Sequence, residues 1–230
     1  MRLKTDAKRR AIVAAAGQVF REHGLAGAAM TAVAERVGGS KATLYRYFAS
    51  KEELFLAVML DDVLDHAQAV FDALTPSGDL RRTLERFGAR FLQLTLSAEA
   101  LAARRMSIAE GLRSGIGQRL YERGPKLVWA KMADFLKGEM TAGRLRAADP
   151  WRVAMHLRGL LEADLVNRAL IGAEADLRPA SLRRHAAEAV DALLRGYGAE
   201  GKRDPPATRT ARSEGSRAPR PRGRAIDAPS

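Results

Sequence analysis

Between Ser40 and Ser50 the chain gathers Lys41, Thr43, Tyr45, Arg46 and Tyr47 with no acid among them, and Lys51 follows at once. Lysine, arginine and tyrosine donate hydrogen bonds to phosphate oxygens, and lysine and threonine also reach the polar edges of bases. Tyrosines flanked by cations suit that chemistry better than they suit a purely solvated surface. An amphipathic helix with a basic outer face remains the simpler alternative on these residues alone.

Those side chains need an element to aim them. At about 100° per residue, Leu44 and Phe48 share one side of a short helix over Lys41–Phe48. Ala42 and Arg46 then point nearly opposite, Thr43 and Tyr45 sideways, and Lys41 and Tyr47 to the shoulders. Before it, Met30, Val33, Ala34 and Val37 form one face of a second helix over about Ala29–Val37, and Gly38-Gly39-Ser40 turns the chain between the two. Two short helices joined by a glycine-containing turn describe a helix-turn-helix, whose second helix enters the major groove. A helix over about Asp6–His23, with Ile12, Ala16, Val19 and Phe20 inward and Gly24 as a C-terminal stop, precedes this pair.

The segment from Met30 to Leu54, MTAVAERVGGSKATLYRYFASKEEL, closely resembles the TetR/AcrR family of repressors, whose pattern includes AGVSKaTLYrYF followed by sKeeL. The resemblance extends over about residues 8–60. It implies that Lys41 and Thr43 read base edges and that Tyr45 and Tyr47 contact phosphate. It also implies that Lys51 meets phosphate from the start of the fourth helix, where the helix N-terminus favours an anion. With Thr31, Ser40, Ala42 and Arg46 beside them, these residues make the candidate DNA-contact set. Two positions depart from the pattern. Ala29 stands where Ser or Thr usually caps the second helix, which costs about 1 kcal/mol and removes a phosphate contact that Thr31 can partly replace. Gly39 stands where the turn usually carries Val, which removes an apolar anchor and adds unfolded-state entropy.

Helical spacing continues along the chain, and strand-like alternation is nearly absent. The reading is all-α: a helix-turn-helix domain over 1–53, a helical domain over 54–199 and a disordered basic tail over 200–230. Ser50-Lys-Glu-Glu53 reads as a capping box opening a helix to about Leu74. After a break at Thr75-Pro-Ser-Gly78, helices are expected over Asp79–Leu96, Ala98–Leu112, Pro125–Thr141, Pro150–Ile171 and Ala180–Tyr197. Asp79 and Asp149 serve as N-caps, and Pro125 and Pro150 stand in first turns.

Three runs, RMSIAEGLR from Arg105, LYERGP from Leu120 and GRLRAADP from Gly143, resemble the C-terminal domain of AefR-like members of the same family. That resemblance implies helices around a ligand pocket and a final helix pair forming a four-helix dimer interface. Phe87, Phe91, Met106, Trp129, Met132, Phe135 and His156 are the pocket candidates. Leu157, Leu160, Leu161, Leu165, Ala187, Val190, Leu193 and Leu194 are the interface candidates. For all of them, ordinary core packing is the alternative. The expected partners are a pseudo-palindromic double-stranded operator, a second copy of the chain and an unidentified small-molecule effector. The alternative is a DNA-binding regulator or architectural protein with no effector.

Composition sets outer bounds. The net charge is +12 in 230 residues. Residues 1–53 and 201–230 each carry +5, leaving +2 for the rest, so basic ends flank a nearly neutral body. A polyanionic partner follows. There is no cysteine, which removes disulfides, thiolate metal sites and cysteine nucleophiles. His23, His66, His156 and His185 have no metal-ligand spacing, and no phosphate-binding loop, dinucleotide fingerprint or Gly-x-Ser-x-Gly elbow occurs. Hence no cofactor, metal or enzymatic role is expected. No run nears the ~20 apolar residues of a membrane span, nor does the start of the chain resemble a signal peptide, so a cytoplasmic location is expected. The basic tail is compatible with a salt-dependent DNA-binding arm, with an anionic-membrane contact lacking apolar anchors, or with no selected role.

Overall fold

The structure, a computed structural model, describes residues 2–71, 74 and 78–199. The expected turn at Thr75–Ser77, the tail over 200–230 and the side chain of His66 lie outside the described residues. Helices α1 (Arg2–Gly27), α2 (Met30–Val37) and α3 (Lys41–Tyr47) form the N-terminal head, and α4 (Lys51–Phe71) leads out of it. There follow α5 (Leu80–Thr95), α6 (Ala98–Ser114), α7 (Gly117–Arg123), α8 (Pro125–Thr141), α9 (Pro150–Glu162), α10 (Leu165–Ile171) and α11 (Pro179–Tyr197). Among the described residues there is no strand, only an isolated bridge between Leu145 and Gly198. The fold is therefore all-α, as expected.

Capping residues explain most of the helix boundaries. The carboxylates of Asp79 and Asp149 accept from the N–H groups of Arg82 and Arg152, and the Ser97 hydroxyl accepts from Ala100. Each satisfies a donor that the first turn leaves unpaired. Gly38, at φ 66°, ends α2 in the left-handed conformation, with its N–H on Glu35 O and that of Gly39 on Ala34 O. That paired arrangement is a Schellman motif, and it depends on glycine at the left-handed position.

Several boundaries differ from the sequence reading: α1 starts at Arg2 rather than about Asp6, and α7 stands over Gly117–Arg123, where the sequence reading has no helix. Gly24 does break α1, at φ 65°, but helical structure resumes as far as Gly27. The expected single helix over Pro150–Ile171 is divided at Asp164, whose φ of 51° and ψ of −50° make a tight three-residue turn with the Leu165 N–H 2.5 Å from Ala163 O. Positive-φ γ-turns are rare and strained, so the surroundings must impose this one. Arg105 on α6 grips the carbonyls of Leu170 (2.7 Å) and Ala169 (2.6 Å), which fixes α10 at its own angle. No local residue pattern announces such a break.

Two apolar clusters hold the molecule. The first joins Ile12, Ala16, Val19 and Phe20 of α1 to Met30, Val33, Leu44 and Phe48, and to Leu54, Phe55 and Met59 of α4. The second is built on α5, α8, α9 and α11, around Phe87, Trp129, Met132, Leu157 and Val190. Helix α4 belongs to both, since Val70 lies in the second. Ile116, far along the sequence between α6 and α7, is buried in the first. In the second cluster Gly88 lets α5 approach closely: a Cβ there would lie 2.8 Å from Leu161 Cδ2 and 3.1 Å from Ala186 Cβ. Gly88→Ala is expected to destabilise the protein by about 1–3 kcal/mol through overpacking, read as a lower denaturant midpoint. A neutral or stabilising result would mean that α9 and α11 yield at no cost.

Candidate nucleic-acid interface

Helix α3 begins with Ser40, whose hydroxyl accepts from the Thr43 N–H (3.1 Å) and lies 3.0 Å from Thr43 Oγ1. Leu44 and Phe48 point into the first cluster, exposed by only 1% and 5%. Their burial fixes the rotation of α3 and leaves Lys41, Ala42, Tyr45 and Arg46 on the surface, with Thr43 and Tyr47 half-buried at the edges. Tyr47 packs against the cluster, while Tyr45 stands 44% exposed with Lys41 Nζ 5.9 Å from its ring centroid. Ser40 and Thr31 are also exposed. The α3 face is thus cationic and aromatic, and no carboxylate stands on that helix.

Lys51 is placed differently. Its ammonium donates to the carbonyls of Ala26 and Ala28, both at 3.2 Å, and so ties α4 to the α1–α2 turn. Ala29 makes no side-chain cap to α2, in keeping with its residue type. Gly39 has open space where a Cβ would stand and is not in a positive-φ conformation. Gly39→Ala is therefore expected to raise stability by about 0.4–1 kcal/mol by restricting the unfolded chain. Thermal melting checks this, and a lowered midpoint would refute it.

Contacts distant in sequence complete the head. Lys8 Nζ donates to Val37 O (3.2 Å) at the end of α2, and the Arg9 guanidinium lies 5.3 Å from the Phe48 ring centroid. Arg36 pairs with Glu22 across α1 and α2. At α4 the expected capping box is only half formed. Ser50 Oγ accepts from the Glu53 N–H (3.1 Å), but the Glu53 carboxylate turns outward to Arg119 and Arg123 of α7. Glu52 takes up the Ser50 hydroxyl; its own backbone N–H first, and then that hydroxyl, hold its carboxyl below the usual carboxylate range. Nothing in local spacing identifies Lys8, Arg9 or the α7 arginines, because their partners stand 29 or more residues away.

The expected pocket residues do not share one cavity. Phe71, Phe87, Phe91 and Trp129 form a chain of ring contacts, with centroids 5.5 Å (Phe71–Phe87), 6.1 Å (Phe87–Phe91) and 5.3 Å (Phe91–Trp129) apart. Met132 is buried with them. Phe135 lines a small cavity of about 100 Å³ with Asp79, Leu80, Thr83, Glu139 and Arg144. His156 stands on the outer face of α9, its Nδ1 2.6 Å from the Tyr197 hydroxyl, beside an open apolar groove of about 400 Å³ along α9 and α11. Met106 packs against the first cluster and not with these rings, because α6 leans on the head.

The interface candidates also divide. Leu157, Leu161 and Val190 are 0% exposed and Leu193 is 1% exposed, so their side chains are enclosed within the protomer's own core. A two-faced helix pair explains this, since the same apolar composition serves the inner face. Leu160, Leu165, Ala187 and Leu194 are half-buried and retain accessible surface.

Residues 12–58 match the model of bacterial regulatory proteins of the tetR family, and residues 82–199 match that of the AefR-like transcriptional repressor C-terminal domain. The HTH-type transcriptional activator FasR of Mycolicibacterium smegmatis is 40% identical over 83 residues, 36% of this chain and 38% of that protein. The HTH-type transcriptional repressor AcnR of Corynebacterium diphtheriae is 36% identical over 63 residues, 27% of this chain and 33% of that one. The chain thus matches little more than a third of the length of these curated relatives. In three dimensions it overlays a TetR-family regulator from Mesorhizobium loti with a TM-score of 0.76 at 29% identity, covering 84% of this chain and 98% of that one. The flavonoid-responsive regulator FrrA gives a TM-score of 0.71 at 27% identity, with 84% and 98% covered. The acid-free exposed face of a helix-turn-helix head, the AefR-like body and these likenesses together make the chain a member of the TetR family of DNA-binding transcriptional regulators.

Proposed function

We propose that the chain acts as a homodimeric repressor that binds a pseudo-palindromic operator through α3 and is released when a small molecule occupies the C-terminal half. The observation that carries this reading is the exposed set Lys41, Ala42, Tyr45 and Arg46 on a helix whose rotation is locked by Leu44 and Phe48. In this reading Lys41 and Thr43 read base edges, and Tyr45, Tyr47, Arg46, Ser40 and Thr31 hold phosphates. Lys51 orders the backbone at the α1–α2 turn and offers its remaining donor capacity to phosphate. In this reading dimerisation uses the surface that Leu160 of α9, Leu165 of α10 and Ala187 and Leu194 of α11 keep accessible, and Leu160 also lines the apolar groove.

Release follows as a population shift. A ligand that binds one arrangement of the two heads better than the other moves the equilibrium by that differential affinity. Only a spacing of the two α3 helices that matches successive major grooves, ~34–36 Å, permits binding. The experiment is a footprint on the promoter next to the gene, titrated with a compound library. Two protected half-sites on one face of the duplex, lost on adding a compound, support the reading. Operator affinity unchanged by every compound that binds the protein would defeat it. The likeness to the activator FasR favours one second reading, in which the same interface recruits transcription. A deletion strain separates the two, since target transcripts rise for a repressor and fall for an activator.

A further inference from the structure

Arg104 on α6 and Arg158 and Glu162 on α9 form a triad at the edge of the aromatic chain. Glu162 accepts from both terminal nitrogens of Arg104 (3.2 and 3.1 Å) and from Arg158 Nε (3.1 Å). Its carboxylate is thereby engaged by two guanidiniums, so the group carries one excess positive charge. The three side chains are 30%, 26% and 18% exposed for Arg104, Arg158 and Glu162, so water screens that excess less than on an open surface. Arg158 also lies over Trp129, 5.8 Å from the ring centroid, and Trp129 meets Phe91 edge-on. Among the described residues the terminal nitrogens of Arg158 have no hydrogen-bond partner, while Nε is taken by Glu162.

We infer that this corner receives the effector and that the effector is a planar aromatic anion, such as an aryl carboxylate. The inference rests on the effector-released reading above and assigns its ligand class. Phe87 and Trp129 are only 1% and 3% exposed, so the ring surfaces they offer for stacking are those that Phe91 now covers. Phe91 is half-buried and keeps accessible surface, and it is the ring an aromatic ligand would displace. Beside Trp129, the two unengaged nitrogens of Arg158 present the fork that binds a carboxylate through two parallel hydrogen bonds. Glu162 holds that fork in place from Nε and would repel an anion were it not already paired with Arg104. A neutral ring system would gain the stacking and leave the excess charge uncompensated; an aliphatic acid would gain the charge and lose the stacking. The site also connects outward, because Glu162 adjoins the strained turn at Asp164 and Arg104 adjoins Arg105, which fixes α10.

The probes are 2-naphthoate and its uncharged counterpart 2-naphthylmethanol, titrated calorimetrically into the full chain. The acid is expected to bind at least tenfold more tightly than the alcohol. Arg158→Leu should abolish that preference, and Arg158→Lys should restore part of it. Thermal melting of each variant shows whether it is folded. Phe91→Ala, which vacates that place without touching the charge, should strengthen both probes to a similar degree. Equal affinity for acid and alcohol, no binding of either, or an acid preference that survives Arg158→Leu would each overturn the inference. Operator binding is measured in parallel. If a neutral compound releases the operator and naphthoate does not bind, the assigned class fails while the release reading stands. If naphthoate binds through Arg158 and operator affinity does not change, the site stands and release fails.

Discussion

Ile116→Ala is expected to cost about 2–5 kcal/mol of stability, the usual range for emptying a buried aliphatic site. In a chain of this length that corresponds to a melting temperature lower by roughly 4–20 °C. Ile116 is only 3% exposed and sits among the α1 and α4 side chains of the head, although it stands between α6 and α7. Met106 and Leu120 pack on the same cluster, and Arg119 and Arg123 reach Glu53. The α6–α7 elbow is therefore docked on the base of the head. Glu53→Gln is expected to behave otherwise, because Glu53, Arg119 and Arg123 are 34%, 41% and 54% exposed. Pairs that open to water contribute about 1 kcal/mol or less, so the fold should persist while the elbow loses its electrostatic hold. The check is denaturant unfolding together with operator affinity for both variants. Ile116→Ala within ~0.5 kcal/mol of the parent, the ordinary range of surface changes, would show that the elbow does not support the head.

Lys41→Ala and Tyr45→Ala carry the second large effect, on the operator. Each is expected to lose about 1–3 kcal/mol of operator binding, the range for a good base contact, or roughly five- to 150-fold in affinity. They should differ in kind. Without Lys41, the gap between the operator and a scrambled duplex narrows. Without Tyr45, both duplexes weaken alike. Because Lys41 Nζ lies 5.9 Å from the Tyr45 ring centroid, the two are neighbours and their losses should not add. The double variant is expected to lose less than the two singles together, since each single already removes the shared cation–ring contact. Fluorescence anisotropy on both duplexes, at two salt concentrations, gives all three quantities. Identical behaviour of the two single variants would refute the division of roles.

Much of the head was legible from residue types. Leu44 and Phe48 predicted the rotation of α3, and Gly38 predicted the turn, because few residues other than glycine accept its conformation. Asp79 and Asp149 marked helix starts because capping is a local transaction between a carboxylate and a backbone N–H three residues on. What stayed hidden depended on partners far away in sequence. Glu53 had the spacing of a capping box, and two arginines nearly seventy residues later claimed its carboxylate. Asp164 lies in the middle of a helical pattern, and the segment after the break is held at its far end by Arg105 from another helix. Leu157 and Leu161 share an apolar stripe with Leu160, but a stripe does not say which side meets the protomer's own core and which side meets water.

The seat of Ile116 in the head has a bearing on modular engineering. A chimera that grafts this DNA-reading unit onto another sensor, cut within α4, would leave an apolar socket vacant in the head's cluster, with Glu53 deprived of both arginines. The transferable unit is discontinuous in sequence: the first sixty or so residues together with the segment from about Ala103 to Arg123 that plugs them. Hybrids built with that insert should remain monodisperse at concentrations where the shorter graft self-associates.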